Sequence, residues 1–224
     1  MFNAMRWVGL LSVLYVIVPM APSALSGEPP SSASAAPENL SRLLNDPSHL
    51  KTIQAAAIDG FSKALDCAEG KFESTGPVSF YNPLKIDENG HVLSGLVSER
   101  GRVIGCGKTM IVNIATGNKD GSNSSVFQMP GTTHANPTLT HDTFGYVYRA
   151  ATPKIGDCKK VRFINSEFVE FFGAPNPSAK FQNNGGRPWR EVWTIDICGQ
   201  QQVRVPVEYI PNDKGTVISV EFVK

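Results

Sequence analysis

ERGRVIGCG (residues 99–107) and EVWTIDICG (residues 191–199) share one frame: a glutamate, six residues, then Cys-Gly. Outward from this pair the correspondence continues. Asp66-Cys67 recurs as Asp157-Cys158, Lys71-Phe72 as Arg162-Phe163, and Phe80 as Phe171. Asp46-Pro47 answers to Asn136-Pro137, and Asp120-Gly121 to Asp213-Lys214-Gly215. The order is collinear with slips of one or two residues, so chance explains it poorly. The chain reads as two diverged copies of a motif of roughly 90 residues.

Asp46-Pro47 and Asn136-Pro137 each place a capping side chain before a proline at the first helical position. Helices are expected from Pro47 to about Leu65 and from Pro137 to about Ala151. Leu50, Ile53, Ala57, Phe61 and Leu65 give the first one an apolar face at spacings of three and four. Strands are expected in VRFINSEFVEFF (161–172), RVIGCGKTMIVNIA (102–115), EVWTIDICGQQQVRVPVEYI (191–210), SSVFQM (124–129) and TVISVEFV (216–223). Asn118 to Gly121 and Asn212 to Gly215 carry turn chemistry. The expected fold class is therefore α+β: two copies of a helix plus about four antiparallel strands. The copies pack either with pseudo-twofold symmetry or as two beads. Copy one is assigned to residues 40–130 and copy two to 131–224.

Four cysteines separated by 39 residues in one copy and 40 in the other suggest two disulfides. Cys67–Cys106 with Cys158–Cys198 is the favoured pairing, although all three connectivities survive exchange of the copies. No CxxC redox or zinc motif is present. The amino terminus carries an apolar run from Trp7 to Met20, with Arg6 before it and Pro19 and Pro22 closing it. This matches a signal peptide over residues 1–26, with small residues Ala24 and Ser26 at the cleavage positions. Residues 27–39, rich in Pro, Ser and Ala, read as a solvated linker.

The full chain has 21 basic and 20 acidic side chains. Removing Arg6 leaves them balanced, which argues against nucleic acid as a partner. No span follows the amino-terminal run, no cofactor is expected, and the partner is an unidentified protein or envelope ligand.

Two stretches invite a search for chemistry. In PGTTHANPTLTHD (130–142), His134, His141 and Asp142 are weak metal candidates, because they straddle a loop-to-helix junction. In RPWREVWTIDICG (187–199), a strand would put Trp189, Glu191 and Trp193 on one face. That row is a candidate binding platform for a sugar ring or peptide. The competing reading packs it beneath a helix, with Glu191 paired to an arginine such as Arg187 or Arg190. No nucleophile elbow or phosphate loop is visible, and no catalytic residue is assigned.

PGTTHANPTLTHD, the later Asp-Cys, W-R-E-V-W-x-x-x-x-C-G and the Pro-Asn-Asp-x-Gly-Thr turn together resemble a set of uncharacterised exported proteobacterial proteins. The resemblance covers most of residues 90–224. It implies a periplasmic or secreted location and carries no activity. The expected function is an exported, disulfide-stapled binding or interaction protein of the bacterial envelope. An inhibitor or immunity-type protein falls within that class. The alternative is an envelope-directed hydrolase using His134, His141 and Asp142, or the Trp189–Glu191–Trp193 face.

Overall fold

Asp46 and Asn136 cap their helices as their chemistry dictates. In this computed structural model, which describes residues 37–75, 79–179 and 185–222, the Asp46 carboxylate accepts from the N–H groups of Ser48 and His49, both at 3.2 Å. Helix α2 then runs Pro47–Leu65. Asn136 accepts from the Leu139 N–H at 2.8 Å, and helix α3 runs Pro137–Ile155. It passes the expected end at Ala151 because Ile155 is still buried in the core. Asn136→Ala is expected to cost about 1 kcal/mol, a fall of roughly 2–4 °C in Tm, checked by thermal unfolding. The expected signal segment and most of the linker lie outside the described residues, but a helix α1 already forms over Pro37–Asn45.

The strands fall into two antiparallel sheets. The first holds β1 (Lys71–Ser74), β2 (Ser79–Ile86), β3 (Val92–Gly105), β4 (Lys108–Lys119) and β5 (Ser122–Pro130). The long β3 pairs with β4 on one side. On the other it pairs with β1 near Ile104 and with β2 near Val97. The second sheet is a meander of β6 (Val161–Phe171), β7 (Trp189–Ile197), β8 (Gln201–Asn212) and β9 (Gly215–Val220). Among the described residues both lie within one compact unit.

Helix α2 lays Ile53, Ala57, Phe61 and Ala64 on Val103, Met110, Val112 and Ile114 of the first sheet. Its face is rotated from the periodicity reading: Leu50 is 49% exposed, while His49 is buried. The cause is a buried partner, since His49 Nε2 lies 2.8 Å from Glu99 Oε1. Gly60 gives the Phe127 ring room to lie on the helix; a Cβ there would fall 2.2 Å from it. Helix α3 packs Leu139, Val147, Ala150 and Ala151 on Trp193, Ile195, Val203, Val205 and Val207 of the second sheet. Leu43 of α1 joins Leu84, Ile86, Val92 and Val97 in a third cluster.

The disulfides are Cys67–Cys106 and Cys158–Cys198. Each ties the chain leaving a helix to a tight hairpin turn. Cys106 and Gly107 both have positive φ, as do Cys198 and Gly199, the conformation that two-strand hairpins favour.

The α+β expectation of two equivalent helix-plus-four-strand copies is corrected. Of the described residues 48% are strand and 26% helix, arranged as two antiparallel sheets with three helices. Among the described residues the first half has two helices and five strands, the second one helix and four strands. With unequal halves, the pseudo-twofold packing of such copies is set aside. The difference arises upstream of β3: this strand is long enough, at 14 residues, to receive two short partners end to end. Leu43 of α1 then covers the β2 end.

Candidate functional site

Side chains alternate along β7, so Trp189, Glu191 and Trp193 do share one face. That face points inward, and all three are 0% exposed. They therefore offer no stacking surface to an outside ligand, which corrects the platform expectation. The Glu191 carboxylate is a hub. Oε1 accepts from Trp189 Nε1 at 2.9 Å, the His134 N–H at 2.7 Å and Thr133 Oγ1 at 3.0 Å. Oε2 accepts from Trp193 Nε1 at 2.9 Å and Thr133 Oγ1 at 2.9 Å. No arginine takes part. Arg190 turns to the opposite face, where it binds Glu170 at 2.8 Å and Glu208 at 2.7 Å. The Trp189 ring stacks on Tyr209 at 4.6 Å. Tyr209 donates to Thr143 Oγ1 at 3.1 Å, and burial pushes its phenol well above the ordinary range.

The segment between the halves is welded on both sides. Arg100, on β3, donates through Nε to Asn113 Oδ1 at 2.9 Å and through Nη2 to the Thr133 carbonyl at 2.6 Å. Asn113 in turn donates to the carbonyls of Met129 and Gly131 at 2.7 and 2.9 Å. From the second sheet, the Ser166 carbonyl accepts from the Thr132 N–H at 2.7 Å. Ser166 Oγ donates to the Pro130 carbonyl at 2.7 Å, and the Phe168 N–H donates to Thr132 Oγ1 at 2.9 Å. Gly131 is obligatory here. Its φ is +101°, and a Cβ would sit 1.9 Å from the Ser166 carbonyl oxygen.

The buried hub has an exposed rim. His134 is an exposed residue whose ring leans on Phe168 at 4.4 Å and Phe171 at 5.4 Å. Arg187 sits over Phe171 at 5.1 Å. Desolvation lowers the His134 pKa; Glu191 opposes this and Arg100 adds to it. His141 and Asp142 are exposed on α3, away from this rim's contacts. Among the described residues no group of three or more His, Cys, Asp or Glu side chains is placed to hold a metal ion. The structure thus does not bring His134, His141 and Asp142 together. Glu99, the counterpart of Glu191 in the sequence, is also buried, but its bonded neighbour is His49.

The outer face of the second sheet is a lattice of ion pairs. Arg204 meets Glu167 at 2.9 Å. Arg162 grips Asp196 through Nε and Nη2 at 2.9 and 2.5 Å, and also reaches Asp66 at the end of α2. A groove between α2 and β5 is lined by Ala56, Asp59, Lys63, Ser125, Val126 and Phe127. Its two charges already neutralise each other at 2.6 Å.

Sequence reasoning missed Arg100, Asn113, Phe168 and Phe171 as part of this region. Nothing in the sequence said which strands the segment after Pro130-Gly131 would join. Compared with protein-family models, curated proteins and solved structures, the chain matches none of them.

Proposed function

We propose that the chain is an exported, non-enzymatic binding protein of the bacterial envelope, and that its contact surface is the aromatic and basic rim around His134. The observation that carries this reading is where the reactive groups are spent. Glu191 is sealed in the core by five hydrogen bonds. His141 and Asp142 stand on an open helix face. An enzyme would need such groups to converge on one concavity. The rim instead combines aromatic rings with arginine, the composition enriched where proteins bind their partners. Two disulfides suit an oxidising compartment. Among the described residues no helix is long and apolar enough to cross a membrane.

The test is a thermal-shift screen of the oxidised protein against peptides and envelope fragments, with turnover followed in parallel. At least one compound is expected to raise Tm without being consumed, and the shift is expected to vanish in His134→Ala. Turnover that is abolished by His134→Ala or His141→Ala would replace this reading by a hydrolase. A screen with no shift counts against it as well. Export is checked separately by intact mass, with the mature chain expected to start at Gly27.

A further inference from the structure

We propose that Arg100, with Tyr81 and His134 beside it, is a recognition site for a carboxylate carried on an apolar or aromatic body. This deepens the binding reading above and rests on it.

Arg100 is half-buried, yet among the described residues no carboxylate lies within the 4 Å of an ion pair. Its two hydrogen bonds go to neutral oxygens, those of Asn113 and Thr133. The electrostatic influence of Glu191 reaches Arg100, but both oxygens of that carboxylate already accept from Thr133, His134, Trp189 and Trp193. The guanidinium is partly desolvated: desolvation is the largest influence on it and lowers its pKa, while the charge effects of Tyr81 and Glu191 act the other way. Arg162, Arg190 and Arg204 all have carboxylate partners. Arg102 has a carboxylate partner in Glu73, whereas Arg42 and Arg149, with none among the described residues, are exposed. A planar guanidinium with unused N–H groups is complementary to a carboxylate, which it can hold through two parallel bonds.

The surroundings specify the rest of the ligand. Tyr81 lies on the same outer face of the first sheet as Arg100, since Tyr81 pairs with Leu96 and side chains alternate along β3. It lies within electrostatic reach of Arg100 and is half-buried, with its phenol pushed up by desolvation, which a hydrogen bond with Ser79 and the Arg100 charge oppose. Its phenol is a hydroxyl that can donate to an anion. His134 follows Thr133, whose carbonyl Arg100 holds, and senses the Arg100 charge. Behind His134 stand the rings of Phe168 and Phe171, 4.9 Å apart, which pack against the second core but stay only partly buried and so leave some apolar surface at the rim. A hydrated inorganic anion would waste that surface; an aromatic acid or a peptide terminus with an apolar last residue would use it.

The test is titration of the oxidised full chain, followed by calorimetry, with N-acetylphenylalanine and with its amide. A short peptide ending in phenylalanine, as free acid and as amide, separates a small acid from a chain terminus. The acids are expected to bind saturably and the amides roughly tenfold more weakly or less tightly still. Arg100→Gln is expected to weaken acid binding about ten- to hundredfold, and Tyr81→Phe severalfold, while Arg204→Gln on the outer face of the other sheet leaves it unchanged. If Arg100→Gln does not fold, Tyr81→Phe and His134→Gln decide the matter. Equal binding of acid and amide overturns the carboxylate assignment and leaves the binding reading standing. Acid binding that is indifferent to these substitutions overturns the site. Absence of binding by every probe overturns the inference, while the thermal-shift screen above judges the broader reading on its own.

Discussion

Glu191→Ala is expected to destabilise the protein by about 4 kcal/mol, lowering Tm by roughly 10 °C or more. The substitution removes the acceptor for four buried donors at once: two indole N–H groups, the Thr133 hydroxyl and the His134 amide. Each donor left unsatisfied in the core costs about 1–3 kcal/mol, and the void adds a cavity term. The damage spreads beyond β7. Thr133 and His134 belong to the segment that Arg100 holds from the other sheet, so the joint between the halves loosens as well. Glu191→Gln separates charge from shape. It keeps the volume but turns one oxygen into an N–H₂ that faces donors, and should cost about 2 kcal/mol. Urea unfolding followed by tryptophan fluorescence checks both, because Trp189 and Trp193 are fully buried. A Glu191→Ala protein within about 1 kcal/mol of the unaltered chain would show that the hub is not the keystone described above.

Reduction of the two disulfides is expected to cost more still. Each closes a loop of about 40 residues, and the loss of loop-closure entropy in the unfolded chain corresponds to about 4 kcal/mol per bridge. Together these approach the whole stability of an ordinary domain, so the reduced chain should be largely unfolded at moderate temperature. The bridges should open in order. Cys67 is 3% exposed and sits in the core beneath α2, whereas Cys158 only packs at the margin of the second core. Thiol exchange needs access to sulfur, so Cys158–Cys198 is expected to be cut first. Timed alkylation under mild reductant, followed by peptide mapping, reads the order directly. Simultaneous loss of both bridges, or a reduced protein that unfolds at the same temperature as the oxidised one, would contradict this account.

Much of the local structure was legible because its causes are local. Asp46-Pro47 and Asn136-Pro137 start helices through bonds that reach only two or three residues ahead. Asp120-Gly121 turns the chain because both residues tolerate positive φ. The near-equal spacing of the cysteines, 39 and 40 residues, favoured the pairing that forms without excluding the other two. The expectation of equal copies failed where local signals are weak: Leu40 and Leu43 gave no hint that α1 would cover β2. The strand β3 likewise gave no sign that it would take two partners on one side.

The Trp189–Glu191–Trp193 row divides the two kinds of information most clearly. That the three share a face follows from the alternation of a strand, and the sequence alone determined it. Which way the face points depends on what lies across it. Helix α3, Tyr209 and the Thr133–His134 segment meet there from distant parts of the chain, and they turned a conceivable platform into a buried hub. Arg100 shows the converse. In sequence it is one arginine among many beside a glutamate. Only the tertiary structure, by bringing Asn113 and Thr133 to it and leaving every carboxylate beyond ion-pair range among the described residues, made it a half-buried cation unmatched by the fold. Spacing and capping act along the chain and can be read from it. Burial and charge matching act between segments, and they exist only once those segments have met.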